Sequence, residues 1–526
     1  MTPPKSTAKS KAKNKAREGK SSEPKSSGMK SSELKTLTHP EIRAIVIGIM
    51  LAMFLGALDQ TIVATALPTI GRTFSDVENL SWVVTAYLLT STAVTPLYGK
   101  LSDIHGRRVV MLAGIVIFVA GSVACALAPN MIALVLARGL QGVGGGGLMA
   151  LSQTIVADIV SPRERGRYQG YIGAVFAVAS IGGPVLGGFL TEHLHWSLIF
   201  WINLPLGFGA LYMTGNALKR VPFHPRRHRL DMLGAVLLMT AAVTLMLALT
   251  WGGRRFDWIS GQIFLLLAGS GVAWGLFAWR LVATAEPFLP LAVLGNAVVR
   301  CATLAGACGM ATLVGMTIFV PLYFEVVMHL SASQSGLALI PLMSTTVISS
   351  TLTGHAMSHV THYKRMPLIG LAVAIMALGA LAIWPASTPM FGVIVLLAVV
   401  GCGIGTIFPV STVGMQNAVA RAQMGVATGA ANFFRALFSA LVVAVLGAIV
   451  LGGLGGVAGV SVETLARTAS APELAHAFRY VFVAAALVLA FGLSFLIGME
   501  ERPLRGPSLP PPAPAGPATP IQSPAE

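Results

Sequence analysis

The sequence predicts an all-α protein that crosses a membrane many times. Hydrophobic residues make up 55% of the 526-residue chain, whereas charged residues make up only 11%. Soluble domains carry about 25% charged residues, so most of the surface is expected to face lipid. A helix satisfies its backbone hydrogen bonds within one spanning segment, and the apolar runs lack the alternation typical of barrel strands.

About fourteen apolar runs reach the length of roughly 20 residues that a helix needs to cross a bilayer. Their approximate limits are 43–70, 80–100, 109–128, 131–157, 168–190, 196–217, 231–251, 260–280, 299–328, 335–357, 366–386, 389–415, 424–452 and 476–498. The first run follows a basic stretch, as a signal peptide would. Because it contains Asp59 and many spans follow, we expect a retained first helix.

The distribution of basic residues predicts the orientation of the chain. Lys and Arg concentrate in the loops that follow the even-numbered runs and in the N-terminal tail. By the positive-inside rule, both termini are then cytoplasmic. This orientation also accounts for the net charge of +16. No basic face with interleaved aromatic residues is found in the sequence, so we do not expect nucleic acid as a partner.

The chain is predicted to have five parts. Residues 1–42 form a basic tail, 43–217 and 286–500 form two six-helix halves, 218–285 form an inserted helix pair, and 501–526 form a Pro-rich tail. The tails carry few large apolar side chains, so we expect them to be disordered. A weak internal repeat supports the halves, because runs two and ten both lead into a basic turn.

Asp59 is the sharpest single residue, because it lies inside the first apolar run. An ionised, unpaired carboxylate at membrane depth costs at least a few kcal/mol. We therefore expect Asp59 to bind and release a proton as its access to water changes. The alternative is an interfacial acid that hydrogen-bonds the backbone or Gln60. Glu325, late in run nine, has the same two interpretations: a proton or cation site, or an interfacial acid beside His329.

Two arginines also lie inside apolar runs. A buried arginine needs acceptors or an anionic partner. Arg138 is expected to find them in the bundle, with Gln141 one turn further on, unless its side chain extends to an interface instead. For Arg435, in run thirteen, the sequence assigns no role.

Two glycine-containing motifs complete the set. The turn from Gly99 to Arg108 contains Asp103, Gly106 and Arg107. Its charged residues are expected to pair with acids or helix ends at the cytoplasmic face, or else to form a solvated loop that sets topology. In run five, Gly183, Pro184, Gly187 and Gly188 combine small residues with a helix-bending proline, which predicts either a pivot or close packing.

These motifs resemble those of the major facilitator superfamily, in its fourteen-helix branch of drug/proton antiporters. The turn resembles the G-x-x-x-D-x-x-G-R-R signature between helices two and three. The remaining similar motifs are Leu58–Val63 with Ala66–Pro68 in helix one, Arg138–Gly142 in helix four, Gly183–Gly188 in helix five and Trp196–Pro205 at helix six. The resemblance implies two six-helix halves plus two inserted helices in a bacterial inner membrane, and no enzyme activity.

The resemblance also implies a function and roles for the residues. The expected function is export of drugs or other small amphipathic compounds, driven by the proton gradient, with no cofactor or metal. Asp59 and Arg138 would take part in proton coupling. The turn residues Gly99, Asp103, Gly106, Arg107 and Arg108 would form a cytoplasmic latch with Asp158, which stabilises the outward-facing state. Gly183 and Pro184 would bend helix five and limit leak.

Other expectations concern the substrate and the partners. Many relatives would have glutamine at position 325, so Glu325 is expected to favour cationic substrates or to add a second proton site. The candidates for the substrate pocket are Gln60, Gln141, Tyr323, Glu325 and Arg435. A periplasmic adaptor is left open as a partner beside the lipid bilayer. The alternative function is proton-coupled uptake of a small organic solute on the same fold.

Overall fold

The computed structural model describes residues 39–504 apart from 77–78, 221–229, 254, 384, 386–387 and 454–470. The described chain folds into α-helices, as predicted. These are α1 (His39–Phe74), α2 (Trp82–His105), α3 (Arg107–Ala126), α4 (Met131–Gly145), α5 (Leu148–Ile159), α6 (Pro162–His193), α7 (Leu198–Trp201), α8 (Asn203–Ala217), α9 (Met232–Trp251), α10 (Gly261–Ala283), α11 (Leu291–Gly295), α12 (Ala297–Val326), α13 (Ala332–Ala338), α14 (Ile340–Ala356), α15 (Arg365–Ile383), α16 (Met390–Asn417), α17 (Met424–Gly453) and α18 (Ala471–Gly498).

Among the described residues, 13 helical stretches are long and apolar enough to cross a membrane. Each coincides with one of the predicted runs. The remaining run, 80–100, is helix α2, which has spanning length but a more polar sequence with several Thr and Ser residues. Many of its side chains are buried against other helices, including Thr92 and Thr95. Helix contacts therefore compensate for the lower hydropathy of α2.

Three predicted runs are interrupted. The run 131–157 breaks between α4 and α5 at Gly146 and Gly147. A β-carbon on Gly144 would lie 2.2 Å from the backbone nitrogen of Phe118, so α3 and α4 approach with no side chain between them. Small residues let helix backbones approach each other in this way. The runs 196–217 and 335–357 likewise divide into α7–α8 and α13–α14.

The helices pack as two groups joined by an inserted pair. In the first group, α1 packs against α6 and α8, and α4 packs against α2 and α3. In the second, α12 packs against α16, α17 and α18, and α14 and α15 pack against α16. Helices α9 and α10 pack against each other, and α9 also contacts α2 and α17. The inserted pair thus lies beside a contact between the two groups.

One end of the bundle carries the loops with most of the basic residues, and we call it the basic end. The turn at Gly106, the turn at Ser161, the 357–364 loop and the 418–423 loop lie there. Two contacts hold these loops in place. Asn296, between α11 and α12, donates to the Ala418 carbonyl at 3.0 Å, and Arg163, at the start of α6, donates to the Ser358 carbonyl at 2.6 Å.

The tail boundaries differ from the expected ones. Helix α1 begins at His39, so 39–42 are helical, whereas the rest of the predicted N-terminal tail lies outside the described residues. At the other end, 501–504 are ordered by contacts to the loop before α15. The Glu501 carboxylate accepts the Lys364 backbone N–H at 3.0 Å, and Tyr363 donates to the Arg502 carbonyl at 2.9 Å. The remainder of that tail, 505–526, is not among the described residues.

Candidate functional site

A buried ion pair joins α1 to α4. Arg138 Nη1 lies 2.6 Å from Asp59 Oδ2, and the two side chains are 1% and 0% exposed. Both residues lie inside stretches of spanning length. The alternatives that placed Asp59 at an interface, or Arg138 extended toward one, are therefore wrong for this structure. Each charge has its counter-ion inside the bundle, and this attraction offsets part of the cost of burying it.

Two neutral side chains bond the carboxylate, and a third, Ser122, bonds both of them. Gln141 Nε2 and Asn203 Nδ2 donate to Asp59 Oδ1 at 2.8 and 3.1 Å. The same two amides donate to Ser122 Oγ at 3.3 and 2.9 Å, and Ser122 donates to the Phe200 carbonyl at 2.9 Å. Helices α1, α3, α4 and α8 thus meet at one carboxylate. Charge-assisted hydrogen bonds of this kind are roughly twice as strong as neutral ones.

The guanidinium of Arg138 has further partners. Its Nε donates to the Val83 carbonyl at 2.9 Å, and its Nη1 also donates to Gln141 Oε1 at 2.6 Å. Its central carbon lies 4.4 Å from the centre of the Tyr87 ring, close enough for a cation–π interaction. Arg138 is therefore fixed by α2 as well as by Asp59.

The Gly183–Gly188 motif of α6 packs directly against α1. A β-carbon on Gly183 or Gly187 would lie 2.0 or 2.3 Å from the hydroxyl oxygen of Thr61 or Thr65, respectively. Thr61 Oγ1 also donates to the Ala179 carbonyl at 2.8 Å. Since Thr61 is two residues after Asp59, these contacts position the helix that carries the carboxylate. The other two motif residues differ: Pro184 is exposed, and Gly188 has open space where a β-carbon would be.

At the basic end, the predicted latch residues form a chain of contacts. Arg107 pairs with Asp158 at 2.8 Å and with Asp103 at 2.5 Å. The Asp103 carboxylate in turn accepts the backbone N–H groups of Val426 at 2.9 Å and Gly425 at 3.3 Å. These amides begin α17, where the helix dipole favours an anion. The solvated-loop alternative is therefore wrong for Asp103 and Arg107, which have side chains 8% and 13% exposed.

The remaining members of the latch motif are two glycines and one arginine, and each has separate contacts. A β-carbon on Gly99 would lie 2.3 Å from the Gly425 carbonyl oxygen, so only hydrogen fits between α2 and α17 here. Gly106 adopts a φ of 95° at the turn, a conformation that glycine permits. Arg108 stays within its own helix group and donates to the Gly215 carbonyl at 3.0 Å.

Further contacts near the basic end join the two helix groups. The backbones of Gly166 in α6 and Gly354 in α14 approach closely, since a β-carbon on either would overlap the other's carbonyl. Deeper in the bundle, Asn432 Nδ2 donates to Gln153 Oε1 at 2.9 Å. Gln416 donates to the Gln153 carbonyl at 3.4 Å. Four helix pairs thus close the basic end: α2 with α17, α5 with α17, α6 with α14 and α6 with α16.

Of the remaining pocket candidates, Gln60 borders the ion-pair cluster, because its side chain hydrogen-bonds Tyr87, whose ring lies beside Arg138. Glu325 is exposed in the last turn of α12, and Gln60 is exposed on α1. Tyr323 is fully buried in the second group, where its ring centre lies 5.3 Å from that of Phe478. Its hydroxyl donates to the Pro385 carbonyl. The structure therefore places Tyr323 in the core of that group. Arg435 is also buried, at 7% exposure, between α16, α17 and α12.

Sequence reasoning missed several residues of these sites. Asn203 donates to Asp59, and Ser122 accepts from Gln141 and Asn203, but both residues are uncharged and so do not stand out in the sequence. Gly425 contacts the latch as a backbone partner, which leaves no side-chain signal. The Gln153–Asn432 contact joins residues 279 positions apart. Only the run of polar residues on α17 offers a hint of it.

The helices of spanning length, arranged in two groups, define a multi-pass membrane protein, and a buried ion pair lies inside its first group. The sequence matches the Major Facilitator Superfamily family model over residues 49–443. An uncharacterized MFS-type transporter of Mycobacterium tuberculosis is 38% identical over 407 residues, 77% of this chain and 58% of the relative. The chain thus spans well under two thirds of that relative's length.

Two further proteins are similar. The multidrug transporter protein MdtP of Bacillus subtilis is 33% identical over 408 residues, 77% of this chain and 74% of MdtP. The crystal structure of the human organic anion transporter MFSD10 shares the fold, with a TM-score of 0.62 at 17% identity over 87% of this chain and 100% of that one. The chain belongs to the major facilitator superfamily.

Proposed function

We propose that this transporter exports drugs or other small amphipathic compounds, including cationic ones, in exchange for protons across a bacterial inner membrane. The buried Asp59–Arg138 pair is the observation that carries the proposal. The Asp59 carboxylate can bind a proton at membrane depth. Because that proton neutralises the counter-ion of Arg138, it changes how the helices are held together. The name of the relative MdtP supports a multidrug substrate range.

Protonation of Asp59 removes the only carboxylate that the described residues place against Arg138. Removing one partner of a buried pair costs about 3–5 kcal/mol, because the other charge stays buried and unpaired. Reversing a two-state equilibrium from 1:99 to 99:1 takes about 5.5 kcal/mol. One proton on Asp59 therefore supplies most of the free energy needed to favour a second arrangement, in which Arg138 finds other acceptors.

The contacts at the basic end support an open basic end as the second arrangement. They hold the two helix groups together at that end, so a transport pathway there requires α2 to separate from α17 and α6 from α14. If the basic end is cytoplasmic, the present arrangement is outward-facing and the latch stabilises it. Protonation of Asp59 would then favour opening of the latch. The transporter would thereby return to the inward-facing state, in which it binds substrate from the cytoplasm.

The remaining motif residues have supporting parts in this proposal. Gly183 and Gly187 hold α1 against α6 and limit proton leak by keeping the Asp59 region closely packed, while Pro184 bends α6. Glu325 lies apart from Asp59, at an exposed position where an amphipathic cation can approach it. A periplasmic adaptor would extend the export route beyond this bilayer.

Proteoliposomes test the function with ethidium, an amphipathic cation, as the probe. The proton gradient is set so that protons flow toward the side that contains ethidium. For an antiporter, this gradient should accelerate the movement of ethidium in the opposite direction. Asp59→Asn should lower the gradient-driven rate by about 10²-fold or more, because it keeps the size of the side chain but cannot ionise. Asp257→Asn, at an exposed loop position, is the matched control and should transport normally.

Two results would contradict the proposal. Ethidium movement in the same direction as the protons would indicate the uptake symporter instead. A normal gradient-driven rate for Asp59→Asn would show that coupling resides elsewhere. Ethidium-for-ethidium exchange without a gradient checks that the variant still binds and turns over, since exchange needs no proton transfer.

A further inference from the structure

Arg435 is a deeply buried cation with no acidic partner among the described residues. Its side chain is 7% exposed, near the middle of α17. Its Nη2 donates to the hydroxyl oxygens of Ser411 at 2.9 Å and Thr412 at 3.1 Å. Its Nε is buried and donates to no atom of the described chain. Hydroxyl groups accept hydrogen bonds but cannot neutralise the charge, and arginine keeps its charge in proteins.

The contrast with the first helix group is direct. Arg138 is buried to a similar degree, but it has Asp59 as a counter-ion at 2.6 Å. Buried charges are usually paired with opposite charges, and arginine in particular presents planar donors that match an anionic group. Arg435 therefore provides the donors and the charge for one anion, and the described residues place no carboxylate against it.

The position of Arg435 places this cation next to the contact between the two helix groups. Asn432, three residues earlier and on the same face of α17, donates to Gln153 of α5 at 2.9 Å. Thr428, a further turn toward the basic end, accepts a hydrogen bond from Gln416 of α16 at 3.5 Å, and the same amide of Gln416 donates to the Gln153 carbonyl of the first group at 3.4 Å. Arg435 thus lies about one helical turn beyond Asn432, which makes the last of these polar contacts between the two helix groups.

The surroundings of the guanidinium are shaped to its size. A β-carbon on Gly306 of α12 would lie 2.9 Å from Arg435 Nη2 and 3.0 Å from its Nε. Those distances are too short for ordinary contact. Glycine at this position therefore lets the guanidinium lie against the α12 backbone, with Nε and Nη2 on the edge that faces α12 and α16. The small residue, the two hydroxyls and the buried charge form one arrangement built from three helices.

We propose that Arg435, Ser411 and Thr412 form a binding site for a small anionic group. The group is either the carboxylate of a transported amphipathic compound or an inorganic anion such as chloride. The site would widen the substrate range beyond cations, since a compound bearing a carboxylate would complete the pairing that the protein leaves open. This inference extends the proposed export function, but equilibrium binding at the site needs neither a gradient nor Asp59.

Binding to the purified full-length protein tests the site, with 1-naphthoate and its uncharged analogue 1-naphthamide as probes. Titrations are carried out in sodium gluconate, and chloride is then added as a competitor. We expect naphthoate to bind at least about tenfold more tightly than naphthamide, and Arg435→Gln to abolish that preference. Arg479→Gln removes an exposed arginine of the same helix group and should leave the preference unchanged.

The chloride arm distinguishes the two sources of the anion. Competition by chloride would assign the site to a small inorganic anion, whereas naphthoate binding that chloride leaves unchanged would assign it to carboxylate-bearing compounds. Equal binding of both naphthalene probes together with no response to chloride would overturn the inference. So would a naphthoate preference that persists in Arg435→Gln.

A second variant covers the case in which Arg435→Gln does not fold. Gly306→Ala keeps the charge but pushes a methyl group against the guanidinium, so the naphthoate preference should fall by several-fold. An unchanged preference in Gly306→Ala would contradict the proposed geometry. Loss of gradient-driven export with intact naphthoate binding would count against the export function alone, and the reverse result would count against this site alone.

Discussion

At the scale of single residues, the protein surrounds one ion pair with uncharged donors. Asp59 accepts hydrogen bonds from Arg138, Gln141 and Asn203. Each bond to a charged group contributes about 1.5–3 kcal/mol. The amides matter because they can rotate to present their oxygen atoms, so the cluster can serve either protonation state of the carboxyl group.

Asn203→Ala tests that role. The change removes the bond to Asp59 at 3.1 Å and the bond to Ser122 at 2.9 Å. We expect a loss of about 1–3 kcal/mol in the free energy of unfolding and at least a severalfold slower gradient-driven transport. Asn216→Ala changes an exposed asparagine on the same helix and should behave as wild type in thermal unfolding and in transport. Equal effects of the two substitutions would contradict the role of Asn203.

The charged members of this cluster could be predicted from the sequence, and the uncharged ones could not. Asp59 and Arg138 are conspicuous because a charge inside an apolar run is costly. Gln141 could be predicted as a member of the cluster, because it is three residues from Arg138 and lies on the same helix face. Asn203 and Ser122 are reached only through the packing of α8 and α3, which sequence spacing does not determine. Tyr323 and Glu325 were both candidates for the substrate pocket, but packing buries the Tyr323 ring and leaves the acid exposed.

At the scale of helices, closure of the basic end depends on backbone contact. Gly99 and Gly425 let α2 and α17 touch, and Gly166 and Gly354 do the same for α6 and α14. The close approach brings the first amides of α17 within reach of Asp103. The latch turn was predictable from its charges. Its partner was not, because Val426 is 323 residues further along the chain and offers only a backbone amide.

Gly99→Ala tests this dependence. The added methyl group would lie 2.3 Å from the Gly425 carbonyl oxygen, so α2 and α17 must separate. Overpacking costs about 1–3 kcal/mol, which shifts the ratio of closed to open basic ends by roughly 5- to 150-fold. Electron–electron resonance between spin labels at exposed His105 and Arg421, with the native cysteines replaced, measures that separation.

The matched control for this experiment is Gly271→Ala on α10, where a β-carbon meets nothing within 4 Å. Its distance distribution should match that of wild type. A Gly99→Ala distribution as short as that of the control would show that the glycine contact does not govern closure.

At the scale of the whole molecule, the order of the spans was the most predictable feature. Hydropathy alone locates the helices, because lipid requires long apolar segments. The breaks at Gly146 and before Ile340 were missed, since helix breaks depend on local packing. The assignment of 1–42 and 501–526 as tails was less successful at the boundaries, because charged residues such as Glu501 can be ordered by a loop from elsewhere in the chain.

The orientation in the membrane gives a prediction for the complete protein. Basic loops are retained on the cytoplasmic side, so Arg421→Cys should resist a membrane-impermeant maleimide added to intact cells. Asp257→Cys, in the loop between α9 and α10 at the opposite end, should react with it. Permeabilised cells, in which both positions should react, provide the control. The opposite labelling pattern would invert the topology and, with it, the proposed outward-facing state.

The central claim is that a proton on Asp59 changes which end of the bundle is open. The most direct measurement is the His105–Arg421 spin-label distance as a function of pH, without substrate, in wild type and in Asp59→Asn. In wild type the distance should lengthen as pH falls, because protonation removes the counter-ion of Arg138. In Asp59→Asn it should be long at every pH. A variant that keeps the wild-type pH response would contradict the claim.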